Sequence, residues 1–321
     1  MRRRLLALML ALLLLAPSSF AWYGFGHMAV AYVAYEHLDP RVKARADQLI
    51  RKNPSYAKWK AQLPAGLTAE QQNRMLFMIA ATWPDEIRND PSYHDDGPAG
   101  GNKPPVNGGS ENIGYSDKAR HKYWHFADTP ITQDGTLVEP TPAPNVETQI
   151  KQFAKGLSSG PASRKSYDLV WLMHLVGDVH QPLHTTARFS ADLPHGDNGG
   201  NAVQVNAPSP CAGDRKATSL HGLWDGAPGD LADAEKQPQK VIAYAAGLPA
   251  QNVPATDQDV DAWVGESVLL AQTKVYVSPI GDGKGPWKVD EAYCAEMKTV
   301  ADQRVVQAGM RLANLINVNL K

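Results

Sequence analysis

This sequence has little of several things, and each shortage narrows it. Only two cysteines occur in 321 residues, so neither a disulfide-dense scaffold nor a four-cysteine metal site is available. There is no basic excess, because 32 Lys and Arg face 33 Asp and Glu. A protein that binds duplex nucleic acid by neutralising phosphates carries one. Chemistry on a polyanion must here rest on local charge. Beyond Leu5 to Ala16, no apolar run approaches the roughly 20 residues of a spanning helix. There is no internal repeat and no clean linker. Alternating strand patterns are scarce, with Ala202 to Val205 the one short candidate.

The chain opens on Met1 to Arg4, basic, then the apolar run, then Pro17, Ser18, Ser19 and Ala21. That pattern predicts a secretory signal peptide over 1–21, cut after Ala21, and a mature chain over 22–321. Loss of Arg2, Arg3 and Arg4 takes the formal charge from −1 to −4. In an oxidising compartment Cys211 and Cys294 are expected to pair. Closing a loop of that length stabilises by about 4.5 kcal/mol in the chain-entropy view.

Apolar spacing predicts helices over 23–37, 67–83, 146–157, 166–180, 232–246, 260–277 and 289–319. The stretches 92–114 and 185–219, thick with Gly, Pro, Asn and Asp, read as long loops. The expected fold is therefore mainly α and single-domain, with function carried on loops and helix ends.

The histidines carry the chemistry. In His174-Leu-Val-Gly-Asp178-Val-His180-Gln-Pro-Leu-His184, His174 and Asp178 stand four apart and share one helix face. Pro182 ends that helix, so His184 leaves it. His221 and Asp225 repeat the four-residue spacing. A buried ionised Asp beside a His is costly unless it meets a cation, and imidazole with carboxylate suits zinc. One such pair also reads as a satisfied core helix; two pairs and a further His point to metal. Asp85 and Arg88 stand three apart after an apolar helix, which also reads as a capped helix end with a surface ion pair. Tyr123-Trp-His125-Phe126-Ala-Asp128 sets a histidine among aromatics, which also reads as a core cluster. His37, His94, His121 and His195 read as surface or loop residues, and His180 as a support behind the ligands. Gly281 to Trp287 reads as a turn, since a phosphate loop would need Gly-Lys-Ser/Thr before a helix.

Taken in order, Trp22…His27, Trp83-Pro-Asp85-x-x-Arg88, Trp124-His125-Phe-x-Asp128, His174 to His184, Gly-Asp-Asn-Gly-Gly-Asn201 and His221-x3-Asp225 resemble the single-strand-specific zinc nucleases and 3′-nucleotidases, the S1/P1 nuclease family. Pro84 stands where that family more often has a small residue. The resemblance implies a helical fold of the phospholipase C and zinc nuclease type, with little β structure and three Zn2+ per chain. One zinc would take Asp85, His125, His174 and Asp178. A second would share Asp178 and add His27 with the amino nitrogen and carbonyl oxygen of Trp22, which the leader's removal frees. A third would take His184, His221 and Asp225. Asp85 would also orient water or take its proton, and Arg88 would stabilise the phosphate in the transition state. Phe126 would stack on a base, Asp128 would bind its edge, and Asn201 would add a polar contact. The implied substrates are single-stranded DNA or RNA and nucleotides, giving 5′-phosphates and 3′-hydroxyls. The expected protein is a monomer, secreted or periplasmic, with no membrane or protein partner. The lack of a usable Asn-x-Ser/Thr acceptor fits a bacterial member.

Two other readings share many of these residues. Zinc-dependent phospholipase C has the same metal plan, but its first His lies farther from the terminal Trp and its last ligand is typically Glu. A non-catalytic periplasmic zinc-binding protein would need the ligands but not Arg88, Phe126 or Asp128.

Overall fold

A computed structural model describes residues 22–209, 211, 216–229 and 237–321. The predicted leader and most of the 232–237 segment lie outside the described residues. The helices are α1 (Gly24–Glu36), α2 (Pro40–Ile50), α3 (Tyr56–Ala61), α4 (Ala69–Ala80), α5 (Trp83–Glu86), α6 (Val146–Ser159), α7 (Lys165–Asp178), α8 (Leu220–Asp225), α9 (Pro238–Ala246), α10 (Val260–Leu270) and α11 (Glu291–Asn319). The mainly α expectation holds.

Two of these helices are apolar on nearly every side and so lie at the centre. In α1 the burial runs from Phe25 to Tyr35 with one break at Tyr32; in α7 it is continuous from Ser166 to Asp178. They pack on one another, while α11, α4 and α9 cover α1, and α6 covers α7. Buried polar ends are satisfied locally. Asn145, for example, caps α6 with a reciprocal bond to Thr148.

Among the described residues the strands form two short parallel pairs: β1 (Thr129–Thr132) with β2 (Thr186–Phe189), and β3 (Val205–Asn206) with β4 (Trp287–Lys288). The expected strand at 202–205 therefore sits slightly later. The first pair matters for function, because it aligns the segment after His125 with the segment after His184. Ala127 donates its N–H to the His184 carbonyl at 2.7 Å, and Thr129 donates to Thr185 at 2.8 Å.

The apolar interior forms two clusters. The larger contains α1, α4, α6, α7 and α11 side chains, including Trp83, Trp124 and Trp171. The smaller gathers Trp22, Leu183, Leu220, Trp224, Tyr276 and Tyr293. Cys211 and Cys294 form a disulfide against the smaller one, as expected. No described helix is long and apolar enough to cross a membrane.

Candidate metal centre

The predicted ligands converge from separate segments. His27 lies one turn into α1, and its ring stacks on His174 of α7 with centroids 3.8 Å apart. This contact needs Gly177, because a Cβ there would stand 2.7 Å from His27 Nδ1. Asp178 closes the group, with His27 Nε2 at 3.3 Å, His174 Nε2 at 3.4 Å and His125 Nδ1 at 3.2 Å from its oxygens. Asp85, on α5, faces the same two rings at 3.7 Å from His174 and 3.8 Å from His125. Pro84 occupies the first turn of α5, where its missing N–H costs nothing, so the departure at that position is accommodated.

His184, His221 and Asp225 form an adjoining group. His221 Nε2 is 3.3 Å, and His184 Nε2 3.8 Å, from the Asp225 carboxylate. Three sets of ligand atoms are thus close enough to hold an ion: His27–His174–Asp178, Asp85–His125–His174 and His184–His221–Asp225. All of these side chains are buried.

Carbonyls on the far side of the rings fix their aim. His174 Nδ1 donates to Ala81 at 2.7 Å, His184 Nδ1 to His125 at 2.8 Å, and His221 Nδ1 to Gly199 at 2.6 Å. Each bond leaves Nε2 as the lone-pair nitrogen, pointing inward, in the arrangement that metal-binding imidazoles require.

Without a cation the centre is poorly satisfied. Both ring nitrogens of His27, His125 Nε2, His184 Nε2, both oxygens of Asp178 and Asp225 Oδ2 lack a hydrogen-bond partner among the described residues. Burial pushes Asp178 and Asp225 well above the usual carboxylate range, with the Asp85 charge adding to it. Burial, then neighbouring imidazoles, pulls His27 and His184 well below theirs; His125 follows, with His174 and Arg88 as the leading charges. Dry, neutral rings face acids that resist ionising. A divalent cation relieves both at once by taking the lone pairs and keeping the carboxylates charged. The nitrogen and carboxylate donors fit a first-row transition metal better than Mg2+ or Ca2+.

The remaining predicted residues surround this centre. Arg88 is buried, and Nη1 donates to Asp85 Oδ1 at 3.3 Å; the pair is interior, not a surface ion pair. Trp22 is fully buried, its indole N–H donating to Gly177 at 2.9 Å, while the Tyr23 N–H donates to the Asp225 carbonyl at 3.1 Å. The segment is therefore tied to the helices that carry Asp178 and Asp225. Trp124 does belong to an aromatic core, edge-on to Trp171 at 5.0 Å, and the same packing holds His125. Phe126 is half-buried and its carbonyl accepts the Val146 N–H at 3.2 Å. Asp128 is half-buried in the left-handed region at φ 53°. Desolvation, then the Asp197 charge, pushes its carboxyl up to about 7. Asn201 is half-buried and donates to the Asn198 carbonyl within its turn.

Several residues outrun the sequence reading. His180 is buried away from the clusters and accepts from Arg311 at 2.9 Å. Gln181, readable only as part of a motif, donates to Asp225 Oδ1 at 2.7 Å. His121 corrects an expectation. It is buried, lies 2.6 Å from Asp96 and 2.8 Å from Asp117, and stacks on Trp124 at 3.5 Å. His37, His94 and His195 are exposed, as expected.

The chain is similar to known proteins. The S1/P1 nuclease family profile matches residues 22–321. Among curated proteins, Endonuclease 2 of Arabidopsis thaliana is 24% identical over 182 residues, covering 54% of this chain and 58% of that protein. Endonuclease 5 of the same plant is 29% identical over 163 residues, covering 46% and 49%. In both, the chain spans only about half the relative's length. Endonuclease 3 is 23% identical over 326 residues, covering 96% and 92%.

Proposed function

The chain belongs to the S1/P1 nuclease family, and from that premise we propose that it is a zinc-dependent nuclease cutting single-stranded DNA or RNA, with 3′-nucleotides as further substrates. One observation carries the reading: three adjoining buried groups of His and Asp, with Arg88 seated on Asp85 at their edge. On this reading residues 22–321 form one nuclease domain, released from its leader as a monomer into the periplasm or medium. The disulfide suits such a compartment.

Asp85, His125, His174 and Asp178 would hold one zinc. Asp178, His27 and the main chain of Trp22 would hold the second, and His184, His221 and Asp225 the third. Bound zinc would supply Lewis acidity toward the phosphate and lower the pKa of water into the neutral range. Asp85, beside Arg88, orients the attacking water and accepts its proton. The Arg88 guanidinium places two N–H donors toward the phosphate oxygens, where charge builds as the nucleophile adds and the 3′ oxygen departs. Burial around the ligands excludes competing water and strengthens these interactions. Phe126 stacks on a base without regard to its identity, which demands an unstacked strand, and Asp128 binds the base edge. Asn201 contributes a polar contact from the neighbouring turn.

The test is Arg88→Ala assayed on a single-stranded oligonucleotide, its duplex and phosphatidylcholine. Loss of turnover by 10^2-fold or more is expected, on the order of an oxyanion donor's removal, with metal content unchanged. Wild type that cleaves phosphatidylcholine and spares the oligonucleotide is a phospholipase. Wild type inert to all three, with its metals bound, is a zinc-binding protein without this chemistry.

A further inference from the structure

The turn Gly196 to Asn201 has an uncommon, left-handed backbone. Asn198, Gly199 and Gly200 are successive left-handed residues, with φ of 54°, 58° and 78°. That conformation costs most residues about 1–2 kcal/mol, which is why Asn and two glycines occupy it. The turn makes two contacts to one residue of the metal centre. Gly199 accepts from the His221 ring at 2.6 Å, and Gly200 accepts the His221 N–H at 3.3 Å.

The holding group is Asp197, fully buried. Its Oδ1 accepts the Arg188 N–H at 2.9 Å and its Oδ2 accepts the Tyr276 hydroxyl at 2.6 Å. Tyr276 is itself set from two sides. The Arg188 guanidinium lies 4.4 Å over its ring while donating to Gly281 at 2.8 Å. Its backbone closes the π-turn Ala271–Val275 that continues α10. Such wide turns concentrate at functional sites because they re-aim the residue that follows. The same π-turn braces the opposite wall. The Val275 carbonyl accepts the Tyr293 hydroxyl at 2.8 Å, and that hydroxyl accepts the Trp224 indole N–H at 2.9 Å, one residue before Asp225.

We propose that Asp197 and Tyr276 are positioning residues for the third metal site, transmitting the π-turn's geometry through the 197–200 turn to His221. This rests on reading His184, His221 and Asp225 as ligands. Neither residue touches metal or substrate. Their effect is selective for one site, because His27, His125, His174 and Asp178 hang on other elements.

The test measures zinc per chain by elemental analysis, after dialysis against graded zinc buffers, in Tyr276→Phe, Asp197→Ala and Asp197→Asn. Supporting outcomes are a 10- to 100-fold weaker affinity for one zinc in Tyr276→Phe and Asp197→Ala, two zincs kept at wild-type affinity, occupancy restored by excess zinc, and partial recovery in Asp197→Asn. Wild-type affinity at all sites in Tyr276→Phe and Asp197→Ala, or uniform weakening of all three, overturns it. Tyr276→Phe keeps the ring under Arg188, so it decides the matter if Asp197→Ala does not fold. His221→Ala is the control: if it removes no zinc, the ligand reading itself has failed, which is a different result.

Discussion

Replacing Gly177 by Ala sets helix stability against metal binding in one substitution. The position is the penultimate residue of α7, beside Asp178. Ala is favoured over Gly by up to about 1 kcal/mol in a helix interior and by less in the last turn, so backbone physics predicts a small gain. The new Cβ, however, would stand 2.7 Å from His27 Nδ1 and 3.0 Å from Cε1, where ordinary contacts begin at 3.4 Å. The ring must retreat by about 0.7 Å, the difference of the first and last of those distances. Neither His27 nitrogen has a hydrogen-bond partner among the described residues, so metal-free protein loses no hydrogen bond when the ring moves, only part of its stack on His174. A metal ligand tolerates only about 0.2 Å. The expected outcome is a metal-free melting temperature equal to or above wild type, with one zinc bound roughly 10- to 100-fold more weakly, or about 1.4–2.8 kcal/mol. Competition against a chromophoric chelator reads the affinity, and melts with and without EDTA read the stability. Three zincs at wild-type affinity in Gly177→Ala would refute the reasoning that this glycine exists to admit His27.

Three further outcomes are expected. Phe126→Ala removes a stacking platform worth about 1–3 kcal/mol per base, so KM for a single-stranded oligonucleotide rises while zinc content stays; an unchanged KM argues against base stacking there. His121→Asn, which tolerates the left-handed backbone, leaves Asp96 and Asp117 facing each other without a cation and costs roughly 3 kcal/mol. His121 is raised by its hydrogen bonds to Asp117 and Asp96 against an opposing desolvation, so its contribution is complete below about 6.5 and fades as pH rises through the folded value. Asp96 is lowered by the same partnership against desolvation, so its share is present above about 3.9 and fades as pH falls. The gap in melting temperature between wild type and variant should be widest between those limits; a pH-independent gap contradicts the ion triad. Finally, one extra residue before Trp22 converts the proposed amine ligand to an amide, and should remove a zinc and most activity; full retention of both excludes the terminus from the centre.

The sequence makes the long helices legible because their apolar residues recur at helical spacing: Val146, Ile150, Phe153 and Leu157 of α6 are all buried. α2 carries a weaker signal, with Pro40 in its first turn and Val42, Ala46, Leu49 and Ile50 on one face, because charged residues are interleaved with its apolar ones and its neighbours are more apolar. β1 and β2 were not readable. One contains Pro130, and the other is buried at all of its residues, so neither alternates. The His–Asp pairs of the site stand out because four-residue spacing is a local signal. His121 has the same spacing to Asp117, but it falls outside any apolar helical pattern, and its second partner, Asp96, lies 25 residues away. The Asp197–Tyr276 bond spans 79 residues, and its purpose appears only once His221 is seen resting on the turn between them.

The most direct measurement is zinc per chain in active protein beginning at Trp22, determined by elemental analysis after removal of loosely bound metal. The arrangement of His27, Asp85, His125, His174, Asp178, His184, His221 and Asp225 predicts a value near three. Full hydrolysis of single-stranded DNA by protein carrying no metal would contradict it.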